Sequence, residues 1–517
     1  MTREISFMVI LFLISMSISF SGCIQPTQTI PPTITPTPTT ISPAIPEPTH
    51  TPIPESTLRP TELAYTISVL DPTERTIHVR LEINNLHGSQ PLLTFWTNAR
   101  KWFGDWLDPW TNTANIQAKD NAGNSLPVSI VDDGIPWTGD GLRIDAPAEI
   151  NLTVEYDVIL GFVDLNFKGD RQRLVAGYMN KLFAVAEPEF LLLAPVDVET
   201  ADYVMTLKFD IPEDQVSISH WKSLTEHSYS IGAADKAFSY GAIAFGQILS
   251  QEQKIGETDV RVAAYGVDHA TFEKIADRTL RLYQYYETAI GATPIPGFAV
   301  IYLPEVTDNR YVNIYNEESG GFFVRYLPWY DAYWSDSIAH PIAHNWIGGG
   351  MQGEFWFQEG FTNYYELKSC EVIGLCSHSF VQKELADRFT QYRTQAVGTE
   401  NDLSLVEAAN RYKQDHGFPY DFITYEKGSL LAYLLDLRIA QLSGGERSLD
   451  DAMAMLWSRY GPGTQQHSIG VSEMQWAVEE VTGRDFTSFF DSYVRGIEPL
   501  PLAIRQKEVV LNEDLVL

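Results

Sequence analysis

The chain has 517 residues, 44% hydrophobic and 20% charged, a composition that excludes wholesale disorder and a polytopic membrane protein. Its 36 basic residues stand against 67 acidic ones, a formal charge of −31, which argues against nucleic acid as a partner. At roughly 150 residues per domain the length suggests about three domains, and three cysteines are too few for a disulfide scaffold.

Residues 1–22 read as a signal peptide. Arg3 supplies a short basic start, and Ile5 to Phe20 is mostly apolar. That run is shorter than the ~20 residues a spanning helix needs. Ser21-Gly22-Cys23 follows, small residues and then a cysteine, an order similar to a lipoprotein processing box in which Cys23 becomes the lipidated first residue. The expected location is therefore outside the cell's cytoplasm, on the outer face of the cytoplasmic membrane, held by a lipid on Cys23. The rest of residues 23–60 is a Pro/Thr tract with few large apolar side chains, so it reads as a semi-extended stalk.

Residues 61–268 carry strand signals. Thr76 to Ile83 alternates apolar and polar at period two, and Glu149 to Leu160, Tyr203 to Ile211 and Val260 to Gly266 do much the same. Asn, Asp, Gly and Pro clusters separate them, which predicts an antiparallel β-sandwich. From His269 the period changes. Phe272 to Tyr286 is amphipathic at helical spacing, and Pro296 to Leu303 reads as a buried strand. These open an α/β domain over 269–395. Residues 396–517 read as helical, with helices over Lys427–Leu442, Leu449–Arg459 and Val471–Val481. Gly444-Gly445 stops one helix, and Ser448 starts the next. The expected fold class is thus multidomain α+β: β-sandwich, α/β domain, helical C-terminal domain.

The chemistry concentrates in His340 to Glu366. His340 and His344 are four apart, so on a helix both imidazoles share one face and can hold one metal. Glu359, in a second predicted helix, supplies a third donor. Two histidines and a glutamate leave one position open on zinc, as catalytic zinc sites do. Asn363, one turn beyond Glu359, is placed to orient a ligand histidine. A single Zn2+ is the cofactor these residues imply.

The His-x-x-x-His spacing, Trp346-Ile347-Gly348 and Glu359-Gly360-Phe361-Thr362 resemble the gluzincins, zinc aminopeptidases of the thermolysin-like clan. Tyr425-Glu426-Lys427-Gly428 resembles the segment that bears the catalytic tyrosine of those enzymes. The C-terminal sequences and the strand start at Leu63 look most like the glycyl aminopeptidase branch, related to the membrane alanyl aminopeptidases. The resemblance covers most of Thr61 to Leu500. It implies a thermolysin-like domain over 269–395, zinc on His340, His344 and Glu359, and Tyr425 as stabiliser of the oxyanion, with Tyr420 close enough in sequence to assist. It implies peptides or protein amino termini as partners.

One position departs from the family. Where His-Glu-x-x-His has the glutamate that acts as general base, this chain has Pro341. Proline accepts no proton, and loss of a general base removes about 10²–10⁴-fold of rate. It also lacks an N–H and clashes with the carbonyl four residues back, here Ser337, so the helix is expected to start near His340. Glu317 and Glu318 loosely resemble the acidic loop that grips a substrate amino terminus in related enzymes. Glu354 and Asp336 are weaker carboxylate candidates. Cys370 and Cys376 can close a small disulfide outside the cytoplasm. Three functions follow: a tethered zinc metallopeptidase-like protein with hydrolysis weak or lost, an active aminopeptidase with a substitute base, or a non-catalytic peptide-binding or scaffold protein.

Overall fold

Period-two alternation builds the first part of the fold. The computed structural model describes residues 61–86, 90–95, 109–132, 140–147, 150–160, 177–197, 203–231, 241–293, 295–303, 313–314, 320–326, 331–414, 417–464 and 467–512. Cys23, the stalk, Glu317 and Glu318 lie outside them. Strands β1 (Thr61–Asp71), β2 (Thr76–Asn84), β3 (Leu152–Ile159) and β4 (Tyr203–Asp210) sit in the order β4-β1-β2-β3 at the centre of a sheet of eight described strands. Their inward residues, among them Leu63, Tyr65, Ile67, Leu81 and Val154, form one core with Leu93, Phe95, Ile144 and Leu193 of a second sheet. The Tyr65 hydroxyl crosses that core to donate to the Leu193 carbonyl at 2.7 Å.

The sheet is not purely antiparallel as expected: β1 runs parallel to β4. A parallel pair needs a long crossover, and the chain between Asp71 and Tyr203 supplies it. A single alternating strand carries no mark of its partner's direction.

The strands β5 (Leu249–Ile255) and β6 (Thr258–Ala264) join a different sheet, pairing on to β7 (Gly297–Leu303) and β8 (Gly321–Arg325). That sheet thus begins at Leu249, upstream of the His269 start expected from the sequence. Every residue of β7 is buried. Val300 and Tyr302 face the helices, whereas Ala299, Ile301 and Leu303 face Phe183, Val185 and Ile218 of the β-rich part. Arg261 on β6 reinforces this junction. Its guanidinium is 2% exposed and donates to the carbonyls of Ser219 (3.0 Å) and Trp221 (2.9 Å).

Helix α1 (His269–Ala289) covers the sheet, with Asp268 capping its start through the Thr271 N–H. A helical run over 331–343 follows, then α2 (Phe355–Val372), α3 (His378–Gln395), α4 (Leu405–Tyr412), α5 (Gly428–Ser443), α6 (Leu449–Tyr460) and α7 (Val471–Thr482). Helix α5 ends at Gly444, whose φ of +67° suits glycine, and Ser448 and Asp451 form a capping box at α6. Helix α2 is buried nearly all round, as a helix without a polar face must be. Among the described residues no helix is long and apolar enough to cross a membrane.

Candidate metal centre

Pro341 does not displace His340. The run is α-helical over Asp331–Trp334, widens to a π-turn over Ser335–Ala339, and returns to α over His340–Ala343. In the π-turn the His340 N–H reaches back five residues to the Ser335 carbonyl. The wider turn just ahead of the proline departs from the α-geometry in which its ring would clash with the carbonyl four residues back. The helix therefore passes through His340 instead of starting there. His340 and His344 remain one turn apart, their ring centroids 4.8 Å from each other.

A tight loop returns the chain from His344 to α2. Gly348, at φ +96°, donates its N–H to the Met351 carbonyl at 2.9 Å, and the Met351 N–H bonds the Trp346 carbonyl at 2.8 Å. A side chain at Gly348 would meet the His344 ring at 3.2 Å in a backbone conformation that L-residues rarely adopt. Gly353 pairs with Ile469, which staples the loop to the segment ahead of α7. Glu359 then arrives on the second turn of α2.

His340, His344 and Glu359 each offer a donor atom, and these atoms lie within 4.8 Å of one another. All three residues are at most 2% exposed. Nδ1 of His340 lies 2.8 Å from Glu366 Oε2, and Nδ1 of His344 lies 2.9 Å from the Ile347 carbonyl. A carbonyl only accepts, and an ionised carboxylate likewise, so both Nδ1 atoms carry the hydrogen. That tautomer turns the Nε2 lone pairs inward. The two Nε2 atoms face each other at 3.1 Å, with Glu359 Oε2 at 3.8 Å from that of His344. Two lone pairs and a carboxylate converging in a buried pocket repel one another unless a cation sits among them. Two imidazoles and a carboxylate are donors that Zn2+ accepts. The residues present therefore fit such an ion.

The residue behind His340 is Glu366, which sequence reasoning missed in favour of Asn363. Asn363 is buried, and its backbone carbonyl accepts from Arg388 Nη1 at 2.8 Å. Glu366 lies seven residues beyond Glu359, on the same helix face, and that spacing was the available signal. Burial raises its carboxyl above the usual range, opposed by the Arg388 guanidinium.

Tyr425 sits in a second π-turn, Ile423–Lys427, directly ahead of α5. It is buried, with its ring 6.3 Å from that of Tyr412. Two glycines bring this turn against the ligand helix. A Cβ on Gly360 would lie 2.6 Å from Gly428 Cα and 2.9 Å from the Thr424 carbonyl. The neighbour of Glu359 thus packs backbone to backbone on the neighbours of Tyr425. The Tyr420 hydroxyl lies 3.4 Å from Arg411 Nη1, which donates to it.

Glu354 and Asp336 do not join the donor cluster found among the described residues. Glu354 accepts from the Trp356 indole, at the N-terminal end of α2. Asp336 has Glu366, His340, Arg388 and Glu384 as its titratable neighbours, and burial pushes it up to about 7. Cys370 and Cys376 are joined as a disulfide at the end of α2. The loop it closes is hooked to the start of the histidine-bearing run, since Asp331 Oδ2 accepts from the Ser377 N–H at 3.1 Å and hydroxyl at 3.0 Å.

Residues 331–493 match the peptidase family M1 domain. Aminopeptidase B of Rattus norvegicus is 26% identical over 120 residues, 22% of this chain and 18% of that protein. The match thus spans less than a fifth of that relative's length. An aminopeptidase N family protein from Idiomarina loihiensis has the same fold, with a TM-score of 0.64 at 18% identity over 84% of this chain and 76% of that one. An M1 zinc metallopeptidase mutant from Deinococcus radiodurans, bound to a Tyr-Ser-Ala substrate, gives 0.46 at 13% identity over 82% and 90%. The multidomain α+β fold is thus shared with that aminopeptidase N family protein.

Proposed function

We propose that this chain is an exported, lipid-tethered zinc protein of the M1 aminopeptidase type. It binds peptide amino termini, and its peptide hydrolysis is weak or lost. The observation that carries the reading is the convergence of His340, His344 and Glu359 beside a proline in place of the general base. When bound, zinc supplies a Lewis acid that polarises a carbonyl. The chain's own part is to hold the ion through two Nε2 atoms and one carboxylate. Glu366 and the Ile347 carbonyl fix both imidazoles in the ligating tautomer. The Tyr425 hydroxyl, on a turn packed against the ligand helix, is assigned to the developing oxyanion. At position 341 nothing can take a proton from an attacking water, so the step that needs a base is slow. The tether rests on Ser21-Gly22-Cys23 and the Pro/Thr stalk.

The test is hydrolysis of Gly- and Ala-aminoacyl substrates by the full chain and by Pro341→Glu, with and without a chelator. The expected result is little turnover by the unmodified chain and a gain of about 10²–10⁴-fold in the variant, abolished by chelation. Fast chelator-sensitive turnover by the unmodified chain would mean that another group acts as base, and the reading of weak hydrolysis would be wrong.

A further inference from the structure

We infer that Arg388 on α3 is a positioning residue for the metal centre, holding Glu366 against His340 and anchoring that pair on the turn that carries Tyr425. The inference rests on the metal-binding reading above. Arg388 is 14% exposed and spends its donors on three elements. Nη2 donates to Glu366 Oε1 at 2.6 Å, while the other oxygen of that carboxylate meets His340 Nδ1 at 2.8 Å. Nη1 donates to the Asn363 carbonyl on α2 and to Ser429 Oγ on α5, each at 2.8 Å. Nε faces Glu426 Oε2 at 3.8 Å, and that oxygen makes no hydrogen bond among the described residues. Glu426 adjoins Tyr425, and Ser429 follows the glycine that packs on Gly360.

The geometry says what the guanidinium does. A carboxylate that bonds His340 through one oxygen is free to rotate about its last bond unless the other oxygen is held. Arg388 holds it, and its fixed planar fork sets the angle. The same fork bonds the helix that bears Glu366 and the helix that begins at Gly428. A shift between those two helices therefore turns Glu366, and with it His340. Lysine would keep the charge and lose the fork.

The experiment measures zinc affinity of the full chain by competition with a chromophoric chelator, together with the visible spectrum of the cobalt-loaded protein, which reports ligand geometry. Arg388→Gln, Arg388→Lys, Glu366→Gln and the Arg388→Gln/Glu366→Gln double variant are compared. Outer-shell changes cost about 10–100-fold in affinity, and that loss is expected for Arg388→Gln. Arg388→Lys loses less but shows a displaced cobalt spectrum. The double variant binds no more weakly than Glu366→Gln alone, because Arg388 acts through Glu366. Additive losses in the double variant, or an unaltered affinity and spectrum in Arg388→Lys, would overturn the inference even if Arg388→Gln fails to fold. An unmodified chain that binds no zinc would instead sink the metal reading, and the inference with it.

Discussion

Replacing Gly360 by alanine tests how the ligand helix and the tyrosine-bearing turn are held in register. The new Cβ would sit 2.6 Å from Gly428 Cα, 2.7 Å from Gly428 C and 2.9 Å from the Thr424 carbonyl, against the 3.4 Å at which ordinary contact begins. All three obstacles are backbone, so no side chain can rotate away. The two elements must part by most of an ångström. Overpacking of this kind costs about 1–3 kcal/mol, and alanine returns at most about 1 kcal/mol through its better helix propensity. With that return at its full size the net loss expected is about 0–2 kcal/mol in the metal-free protein, read from urea unfolding. The metal should report the shift more sharply. Glu359 is the adjacent residue, and ligand distances are held within about 0.2 Å in working sites. Zinc affinity by chelator competition is expected to fall at least tenfold, about 1.4 kcal/mol. Normal affinity in a variant of normal stability would refute the claim that this glycine contact sets the centre.

Lys427 is fully buried, with Nζ bonded to the Leu403 carbonyl at 3.2 Å, and burial pushes its pKa down to about 8 from 10.5. Between those values the unfolded chain binds a proton that the folded chain lacks, so this residue's contribution to stability rises with pH across the window. Below pH 8 the buried charge costs about 3 kcal/mol, which Lys427→Met should recover at pH 7 and progressively less towards pH 10; a gain independent of pH in thermal unfolding would contradict it. Cys23→Ala is expected to move the protein from the membrane fraction to the soluble one and to abolish labelling by a fatty-acid probe; unchanged fractionation and labelling would remove the tether from the proposal.

The donor triad was legible because its signals are local. Four-residue spacing puts His340 and His344 on one helical face, and Glu359 stands in a helix whose start and apolar content are plain. The caps at Ser448 and Gly444 were equally readable. What escaped depends on contacts remote in sequence. Arg388 looks like an ordinary surface charge until α3 packs on α2 and brings it to Glu366, 22 residues back along the chain, and the seven-residue step from Glu359 to Glu366 gains its meaning only in that packing. The assignment of β5 and β6 to the sheet of β7 and β8 is fixed by pairing with β7 across α1, which strand alternation cannot reveal. Pro341 reads as a helix breaker because the rule assumes an α-turn before it, and the π-turn at Ser335–Ala339 removes that premise.

The two-sided burial of β7 bears on how the molecule can come apart. One row of its side chains closes the core beneath the helices and the other closes the core shared with the β-rich part. Cutting the chain near residue 248 would not free an autonomous C-terminal fragment, because Ala299, Ile301, Leu303 and Phe323 would be left as an open oily sheet face. Thr61–Leu517 should therefore melt in a single cooperative step, and limited proteolysis should trim loops without releasing a stable half. Any attempt to graft the metal centre elsewhere would have to bring part of the β-rich half along with it.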